Sequence, residues 1–123
     1  MIYNKAYQVK FYRHSRSGKE PVLDYLKSLD LKIRQKINKY ISYLQDNEGY
    51  LDEPFSRHVQ GKIRELRVDF ANNRYRIFYF TFINRKIILL HAYLKKTNKA
   101  PKKEIRIAIN YYQDALNNFK LYE

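Results

Sequence analysis

Residues 62–96 constrain the fold more than any other part of the chain, because charged and aliphatic residues alternate along them. Side chains on a β-strand point to opposite faces with a period of two residues. In each of three runs, one set of alternating positions is mostly charged or polar. Together these sets are Glu65, Arg67 and Asp69, then Arg74, Arg76 and Phe78, then Leu89, His91, Tyr93 and Lys95. The other positions carry Leu66, Val68, Tyr75, Ile77, Tyr79, Ile88, Leu90, Ala92 and Leu94. The segment therefore predicts three successive strands with a charged face and an aliphatic face.

Two short turns set the predicted register of these strands. Asn72-Asn73 suits a two-residue hairpin loop, because Asn tolerates the positive φ that such a loop requires, and Asn84-Arg85 is the candidate for the second loop. The first loop pairs Ala71 with Arg74, which places Asp69 opposite Arg76 and Arg67 opposite Phe78. The second pairs Ile83 with Lys86, which places Arg74, Arg76 and Phe78 opposite Lys95, Tyr93 and His91. The charged set is then contiguous on one face.

The chain before this segment begins with a predicted strand, which a first predicted helix follows. Residues 7–12 alternate apolar and polar side chains, which is typical of an opening strand of the same sheet. A polar loop follows at residues 13–19. Ser17 and Glu20 have the spacing of a capping box, and Pro21 suits the first turn of a helix that begins slightly later.

A second helix is predicted between Asp30, a residue typical of helix N-caps, and Asn47 with Gly49, which end it. Its apolar positions recur at helical spacing, at Ile33, Ile37, Tyr40, Ile41 and Leu44. Two helices joined so tightly form a hairpin that can lie on one face of the sheet.

Residues 50–61 show no clear period and are predicted to form a loop. Pro101 fits the first turn of a C-terminal helix. Its amphipathic face is Ile105, Ala108, Ile109, Tyr112, Leu116 and Phe119. The order β-α-α-β-β-β-α predicts an α+β fold, with a largely antiparallel sheet of about four strands, in a single domain over residues 1–123.

The charge balance indicates a polyanionic partner. Lys and Arg outnumber Asp and Glu by 25 to 12, for a formal net charge of +13, and such an excess in a small domain is typical of nucleic-acid binding. An anionic membrane surface is the competing interpretation, but no apolar run approaches the roughly 20 residues that span a bilayer. The absence of cysteine excludes disulfides and thiolate metal sites. No signal peptide is visible, so a cytoplasmic location is expected.

Three linked blocks, IRELRVD, NRYRIFYF and ILLHAYLKKTNKAPKKEI, resemble the HigB-type, phage-derived branch of the RelE/ParE toxin superfamily. The resemblance implies a RelE-like α+β toxin of a type II toxin–antitoxin pair. RelE and HigB members are endoribonucleases that cut mRNA on the ribosome without a metal ion, so no cofactor is expected. ParE members share the fold and poison DNA gyrase. A ParE-like gyrase inhibitor and a basic RNA-binding module without catalysis therefore stay open as alternatives.

Metal-free RNA cleavage needs a group that activates the 2′-hydroxyl, cations that stabilise the phosphate charge and a proton donor. By match to the family's YR-hydrophobic-x-Y block, Arg76 is the first candidate for phosphate stabilisation, followed by Arg67 and then by Lys95 or Lys96. His91 is a candidate acid or base because its reference pKa lies near neutrality. The expected RNA-binding residues are Lys62, Arg64, Arg74, Tyr93 and Lys96.

Each candidate has a structural alternative. Arg76 and Arg67 could form a solvated face paired with Asp69 and Glu65, and His91 among apolar residues could be structural. RelE itself carries a tyrosine early in its C-terminal helix. The nearest position here is Arg106, so that role does not transfer.

The resemblance implies protein and RNA partners. A cognate antitoxin, often a helix-turn-helix protein in this branch, is expected beside mRNA and the ribosome, and no membrane partner is expected. The antitoxin could cover the basic face or pair with an exposed sheet edge. A toxin–antitoxin heterotetramer is one assembly that this allows.

Overall fold

The fold was obtained as a computed structural model, which describes residues 6–82, 84–99 and 101–123. Its elements are β1 (Gln8–Phe11), α1 (Pro21–Lys27), α2 (Leu31–Asp46), β2 (Ser56–Gln60), β3 (Ile63–Phe70), β4 (Asn73–Thr81), β5 (Lys86–Lys95), α3 (Lys102–Asn117) and a short 3₁₀ helix (Phe119–Tyr122). The α+β class is confirmed. Within the described residues, no helix is both long and apolar enough to cross a membrane.

The five strands form one sheet in the order β1-β5-β4-β3-β2. Every neighbouring pair is antiparallel except β1 with β5, so the largely antiparallel sheet is confirmed. The α1–α2 hairpin packs on one face, where Leu66 and Ile77 join a core with Val22, Ile37 and Leu44. On the opposite face α3 covers a second core, built from Phe78, Phe80, Ile88, Leu90, Ala108 and Ala115. Both faces of the sheet are therefore covered.

The fifth strand corrects the predicted loop at residues 50–61 and the count of about four strands. β2 pairs antiparallel with β3, with Ser56 opposite Leu66 and Arg57 opposite Glu65. The segment SRHVQ has no apolar alternation because β2 is an edge strand, and its buried inward residue is Ser56. The Ser56 hydroxyl lies 2.8 Å from the Tyr79 hydroxyl, so the buried polar group is satisfied without an apolar side chain.

The β3–β4 register differs from the prediction by two residues. Positive φ angles fall at Ala71 (50°) and Asn72 (66°), so the two-residue loop lies one position earlier and Phe70 pairs with Asn73. Arg67 therefore lies opposite Arg76 instead of Phe78, and Asp69 lies opposite Arg74 instead of Arg76. A shift of two residues preserves the face of every side chain, so the predicted charged face survives the error.

The β4–β5 register is confirmed at three pairs and wrong beyond them. Arg74, Arg76 and Phe78 lie opposite Lys95, Tyr93 and His91, as predicted. The next pair is Tyr79 with Leu89, which leaves Leu90 as an extra residue in a β-bulge. The bulge reverses the parity, so Ile88 and Leu90 face α3 while Ala92 and Leu94 face the helical hairpin. The predicted pair Ile83 with Lys86 lies outside the described residues.

The ends of the first two helices agree in part with the prediction. Pro21 is the first residue of α1, but Glu20 is its N-cap and the Ser17–Glu20 capping box does not form. The Ser17 side chain lies in a turn instead and accepts a hydrogen bond from the Lys19 amide at 3.3 Å. Asp30 precedes α2 without a side-chain cap. Asn47 ends α2 as predicted.

The C-terminal helix begins one residue later than its proline. Pro101 is the N-cap of α3 instead of a residue of its first turn. Ala108 is buried as predicted. Leu116 and Phe119 were predicted to be on the apolar face but are 36% and 52% exposed.

Candidate active site

A cluster of polar side chains lies on the face of the sheet that α3 covers. We call Glu65, Arg67, Arg76, Tyr93 and Lys95 the basic centre. Arg67, Arg76 and Tyr93 form one row across β3, β4 and β5. Glu65 and Lys95 share their face, two residues from that row along β3 and β5. The strand alternation therefore brings together four of the residues predicted from the sequence, and it adds Glu65.

Glu65 is a buried carboxylate, 7% exposed, with two partners in the basic centre. The Tyr93 hydroxyl donates to its Oε2 at 3.0 Å, and the Arg67 Nε lies 3.8 Å from its Oε1. Burial, together with the neighbouring Glu65 charge, raises the pKa of Tyr93 well above its ordinary value. Tyr93 therefore keeps its proton and holds Glu65 in place. From the sequence, Glu65 was expected only as an ion-pair partner of an arginine, although it belongs to the ELR block.

Arg76 is only 2% exposed and is the largest fully buried side chain in the described structure. Its Nη1 donates to Asp69 Oδ1 at 2.8 Å and to the Tyr75 carbonyl at 3.0 Å. Asp69 itself is 69% exposed. The ion pairs of the structural alternative are thus present for Arg76 with Asp69 and for Arg67 with Glu65. The solvated face that this alternative includes is not present, because Arg76 is buried.

Two guanidinium nitrogens among the described residues of this cluster lack hydrogen-bond partners. Across residues 6–82, 84–99 and 101–123, the buried Nε atoms of Arg67 and Arg76 have no hydrogen-bond acceptor. The two side chains also belong to residues directly opposite each other in the sheet, an arrangement of like charges that costs stability. Unfilled donors and unbalanced positive charge together favour an added anion.

Lys95 completes the cationic part of the site. Burial lowers the pKa of its ammonium group, and the positive charges of Arg76, Arg67 and Arg74 act in the same direction, while Glu65 opposes them. Arg74 lies opposite Lys95 in the sheet and donates from Nη1 to Asn98 at 3.3 Å. Lys95 is therefore a lysine that releases its proton more readily than usual.

His91 is held between the sheet and α3. Its Nε2 lies 2.7 Å from Glu104 Oε1, and its ring lies nearly parallel to those of Phe78 and Tyr93, with centroids 6.4 and 6.2 Å away. The Glu104 contact depends on the docking of α3, so the strand pattern alone does not reveal it. An acid or base role for His91 stays a prediction.

An open groove of about 280 Å³ runs between β2 and the start of α3. Its lining includes Arg57, His58, Glu65, Phe78, Lys95 and Ile105. His58 Nε2 lies 2.8 Å from the Gly61 carbonyl. Arg57 and His58 were not predicted as site residues, because the sequence pattern placed them in a loop. Strand β2 brings both to the groove, in which Glu65 and Lys95 are accessible to a ligand.

The remaining predicted RNA-binding residues are dispersed. Arg64 lies on the opposite face, where its Nε donates to Ser56 Oγ at 3.0 Å and its guanidinium lies 4.6 Å from the centroid of the Tyr50 ring. Lys62 is exposed in the β2–β3 turn, and Lys96 is exposed just after β5. Among the described residues, no group of three or more histidine and acidic side chains is arranged to hold a metal ion.

The fold and the basic centre define a class: a small basic α+β protein with a cluster of arginine and lysine side chains on one face of a largely antiparallel sheet. Residues 24–113 match the family model described as phage derived protein Gp49-like (DUF891), and the chain belongs to that family. No curated protein matches the chain. The family belongs to the RelE/HigB-type toxin group and is linked to RelE-type toxins with endoribonuclease activity. Membership is consistent with a toxin of the toxin–antitoxin type.

Proposed function

We propose that the chain is the toxin of a type II toxin–antitoxin pair and cleaves mRNA on the ribosome, as HigB-type members do. The observation that carries the proposal is the basic centre. It places a buried carboxylate, Glu65, beside three cations, Arg67, Arg76 and Lys95, two of which have unfilled hydrogen-bond donors. This is the set of groups that a metal-free cleavage of an RNA phosphodiester requires.

In the proposed reaction, the 2′-oxygen of one nucleotide attacks the adjacent phosphorus and the bond from phosphorus to the 5′-oxygen breaks. The products are a 2′,3′-cyclic phosphate and a free 5′-hydroxyl. Negative charge grows on the phosphate oxygens during the attack. Arg76 and Arg67 stabilise that charge, because guanidinium groups match phosphate oxygens in bidentate geometry.

Two proton transfers accompany the attack. Glu65 accepts the proton of the 2′-hydroxyl, since its carboxylate reaches the groove and Tyr93 holds it in place. Lys95 donates a proton to the leaving 5′-oxygen, which its lowered pKa favours. His91 is the second candidate for the acid. Arg74, Lys62 and Lys96 contribute electrostatic attraction, and the ribosome orients the message.

The proposal includes an antitoxin that neutralises this site, and a helix-turn-helix protein is the type proposed. The sheet ends at β1 and β2, so an extended antitoxin segment can pair with either edge strand. Because ribosomes are the target, the toxin acts in the cytoplasm.

The test is to map the 5′ ends of cellular mRNA after brief expression of the protein. We expect new ends confined to translated messages in the wild type and their loss in Lys95→Gln and Arg76→Ala. Arg16→Ala removes an exposed arginine of the β1–α1 loop and serves as the matched control with wild-type cleavage. Circular dichroism verifies that each variant is folded.

Three outcomes contradict the proposal. Unchanged cleavage in both folded site variants would remove the basic centre from the mechanism. DNA breaks with intact mRNA would instead indicate a gyrase inhibitor, and RNA binding without any new ends would indicate a module without catalysis.

A further inference from the structure

A second cavity of about 210 Å³ lies beside the basic centre, between α2 and the chain that leads into β2. We call it the α2 pocket. Its lining includes Lys36, Tyr40, Phe55, Arg67, Asp69 and Arg76, and it shares no lining residue with the groove between β2 and α3. The two arginines of the basic centre therefore reach the surface through a cavity other than the one that contains Glu65 and Lys95.

The α2 pocket has the charge and the free donors of an anion site. Three cations line it, and Asp69 is its single acidic residue among the described part of the chain. Arg76 is 98% buried, and its Nε has no acceptor within the described ranges. The Asp69 carboxylate that meets its Nη1 is 69% exposed. The Asp69 side chain can therefore rotate away into solvent, and the Arg76 guanidinium is then free to bind a stronger anion.

Aromatic rings surround the mouth of this pocket. Phe55 is 46% exposed and meets Tyr40 edge-on at 5.9 Å, and Tyr43, 42% exposed, continues the row along α2. Lys36 and Lys39 lie over the Tyr40 and Tyr43 rings, each 5.9 Å from the centroid. Cations interleaved with exposed rings are the pattern by which proteins hold single-stranded RNA, through its phosphates and its unstacked bases.

We propose that the α2 pocket binds the nucleotide on one side of the cleaved bond, with the scissile phosphate displacing Asp69 from Arg76 and the base stacking on Phe55. The inference rests on the proposed function, since it takes the ligand to be single-stranded RNA. Glu65 and Arg67 are two residues apart on one face of β3, which corresponds to roughly 6.6 Å along the strand. A single RNA strand can therefore occupy the groove and the pocket together.

The first test uses the absence of tryptophan from the chain. Phe55→Trp introduces a single fluorescent reporter at the pocket, and Phe119→Trp places the same reporter at a similarly exposed site, 52% against 46%, in the 3₁₀ helix. The probe is a 2′-O-methyl RNA oligonucleotide, which has no 2′-hydroxyl to attack. We expect it to quench Phe55→Trp at least threefold more than Phe119→Trp. An abasic oligonucleotide of equal charge should lose most of that quenching.

Three results overturn the inference in this test. They are no quenching, equal quenching of the two reporters, and equal quenching by the abasic strand. Poly-glutamate that acts as strongly as RNA would instead assign the pocket to an acidic protein segment. Quenching without mRNA cleavage refutes the proposed function alone, whereas cleavage without quenching refutes the pocket alone.

The second test concerns Asp69. We expect Asp69→Asn to tighten binding of the same oligonucleotide about fivefold, because the phosphate no longer competes with a carboxylate for Arg76. Asp46→Asn removes the same charge from the exposed end of α2 and should change the affinity less than about twofold. Equal effects of the two substitutions would show a general charge effect and would overturn the displacement of Asp69.

Discussion

Asp114 is the residue whose replacement should destabilise the protein most clearly, because it joins α3 to the loop after β1. Its carboxylate accepts hydrogen bonds from the hydroxyls of Tyr12 and Ser15, both at 2.6 Å, and from the Ser15 amide at 3.0 Å. Tyr12 is fully buried and stacks on Tyr111 of α3 at 4.5 Å. Asp114 thus holds the helix that covers the candidate active site.

We expect Asp114→Ala to lower the free energy of unfolding by about 3 kcal/mol. Hydrogen bonds to a charged group contribute about 1.5 to 3 kcal/mol, and the buried Tyr12 hydroxyl left without a partner costs about 1 to 3 kcal/mol, although the terms are not additive. For a chain of this size the midpoint of thermal unfolding should fall by roughly 10 °C. Urea unfolding measures the change, and Asp46→Ala, an exposed aspartate at the end of α2, is the control, expected within about 0.5 kcal/mol of the wild type.

A double-mutant cycle tests the reasoning behind that value. In Tyr12→Phe/Asp114→Ala no hydroxyl is left unsatisfied, so the double variant should lose about 1 kcal/mol less than the two single losses together. Additive losses, or a loss for Asp114→Ala no larger than for the control, would refute the role of the carboxylate.

The pH dependence gives an independent check on Asp114. Burial alone would raise its pKa, but the hydrogen bonds from Ser15 and Tyr12 lower it below the usual range. A carboxyl group whose pKa is lower in the folded than in the unfolded state adds stability to the folded state. That stability is fully present at a pH above the unfolded-state pKa and is lost as the pH falls through the folded-state pKa. The difference in stability between the wild type and Asp114→Ala should therefore narrow in acid.

Three further predictions concern other parts of the structure. Gly49→Ala should destabilise by about 3 kcal/mol or more, because the glycine has φ +83° and its added Cβ would clash with Thr81 Oγ1. Gly61→Ala, with φ +55° and open space around it, should cost only the backbone strain of about 1 to 2 kcal/mol. Cleavage by the wild type should decline in a pH–rate profile as the pH rises through the lowered pKa of Lys95, below the ordinary lysine value. Lys95→Arg should lose most of the cleavage at every pH, because a guanidinium group does not release its proton. Arg67→Met should raise stability by about 1 kcal/mol in urea while abolishing cleavage, and a loss of stability would show that Arg67 is structural.

The strand pattern predicted the central part of the fold because each of the three strands has one face against a helical hairpin and an apolar residue on every second position. It could not predict β2, an edge strand whose buried residue is Ser56. Nor could it reveal the bulge at Leu90, since Leu89 and Leu90 are equally apolar and only packing against both helix layers decides which face each occupies. The two-residue register error arose because positive φ was assigned to Asn73 instead of Ala71.

The residues of the candidate site also separate into those that strand alternation predicts and those that depend on contacts between separate elements. Parity placed Arg67, Arg76, Tyr93 and Lys95 on one face. Arg64 was expected to bind RNA with them, but it shares the parity of Leu66 and lies on the opposite face. Arg57 and His58 depended on β2, and the contact of His91 with Glu104 depended on the docking of α3. Side chains within one strand pair were thus readable from the sequence, while those brought together across separate elements were not.

The energetic cost of the arginine pair is itself an argument for a ligand. Arg67 and Arg76 lie opposite each other in the sheet, one is almost fully buried, and their Nε atoms lack acceptors in the described structure. A site selected only for stability would replace such a pair with apolar side chains, which often costs nothing and can stabilise. Glu65 and Asp69 balance only part of the charge, and Asp69 does so from an exposed position. An anion that enters the site therefore gains the interactions that the folded chain leaves unmade, which is the property that a phosphate-binding active site needs.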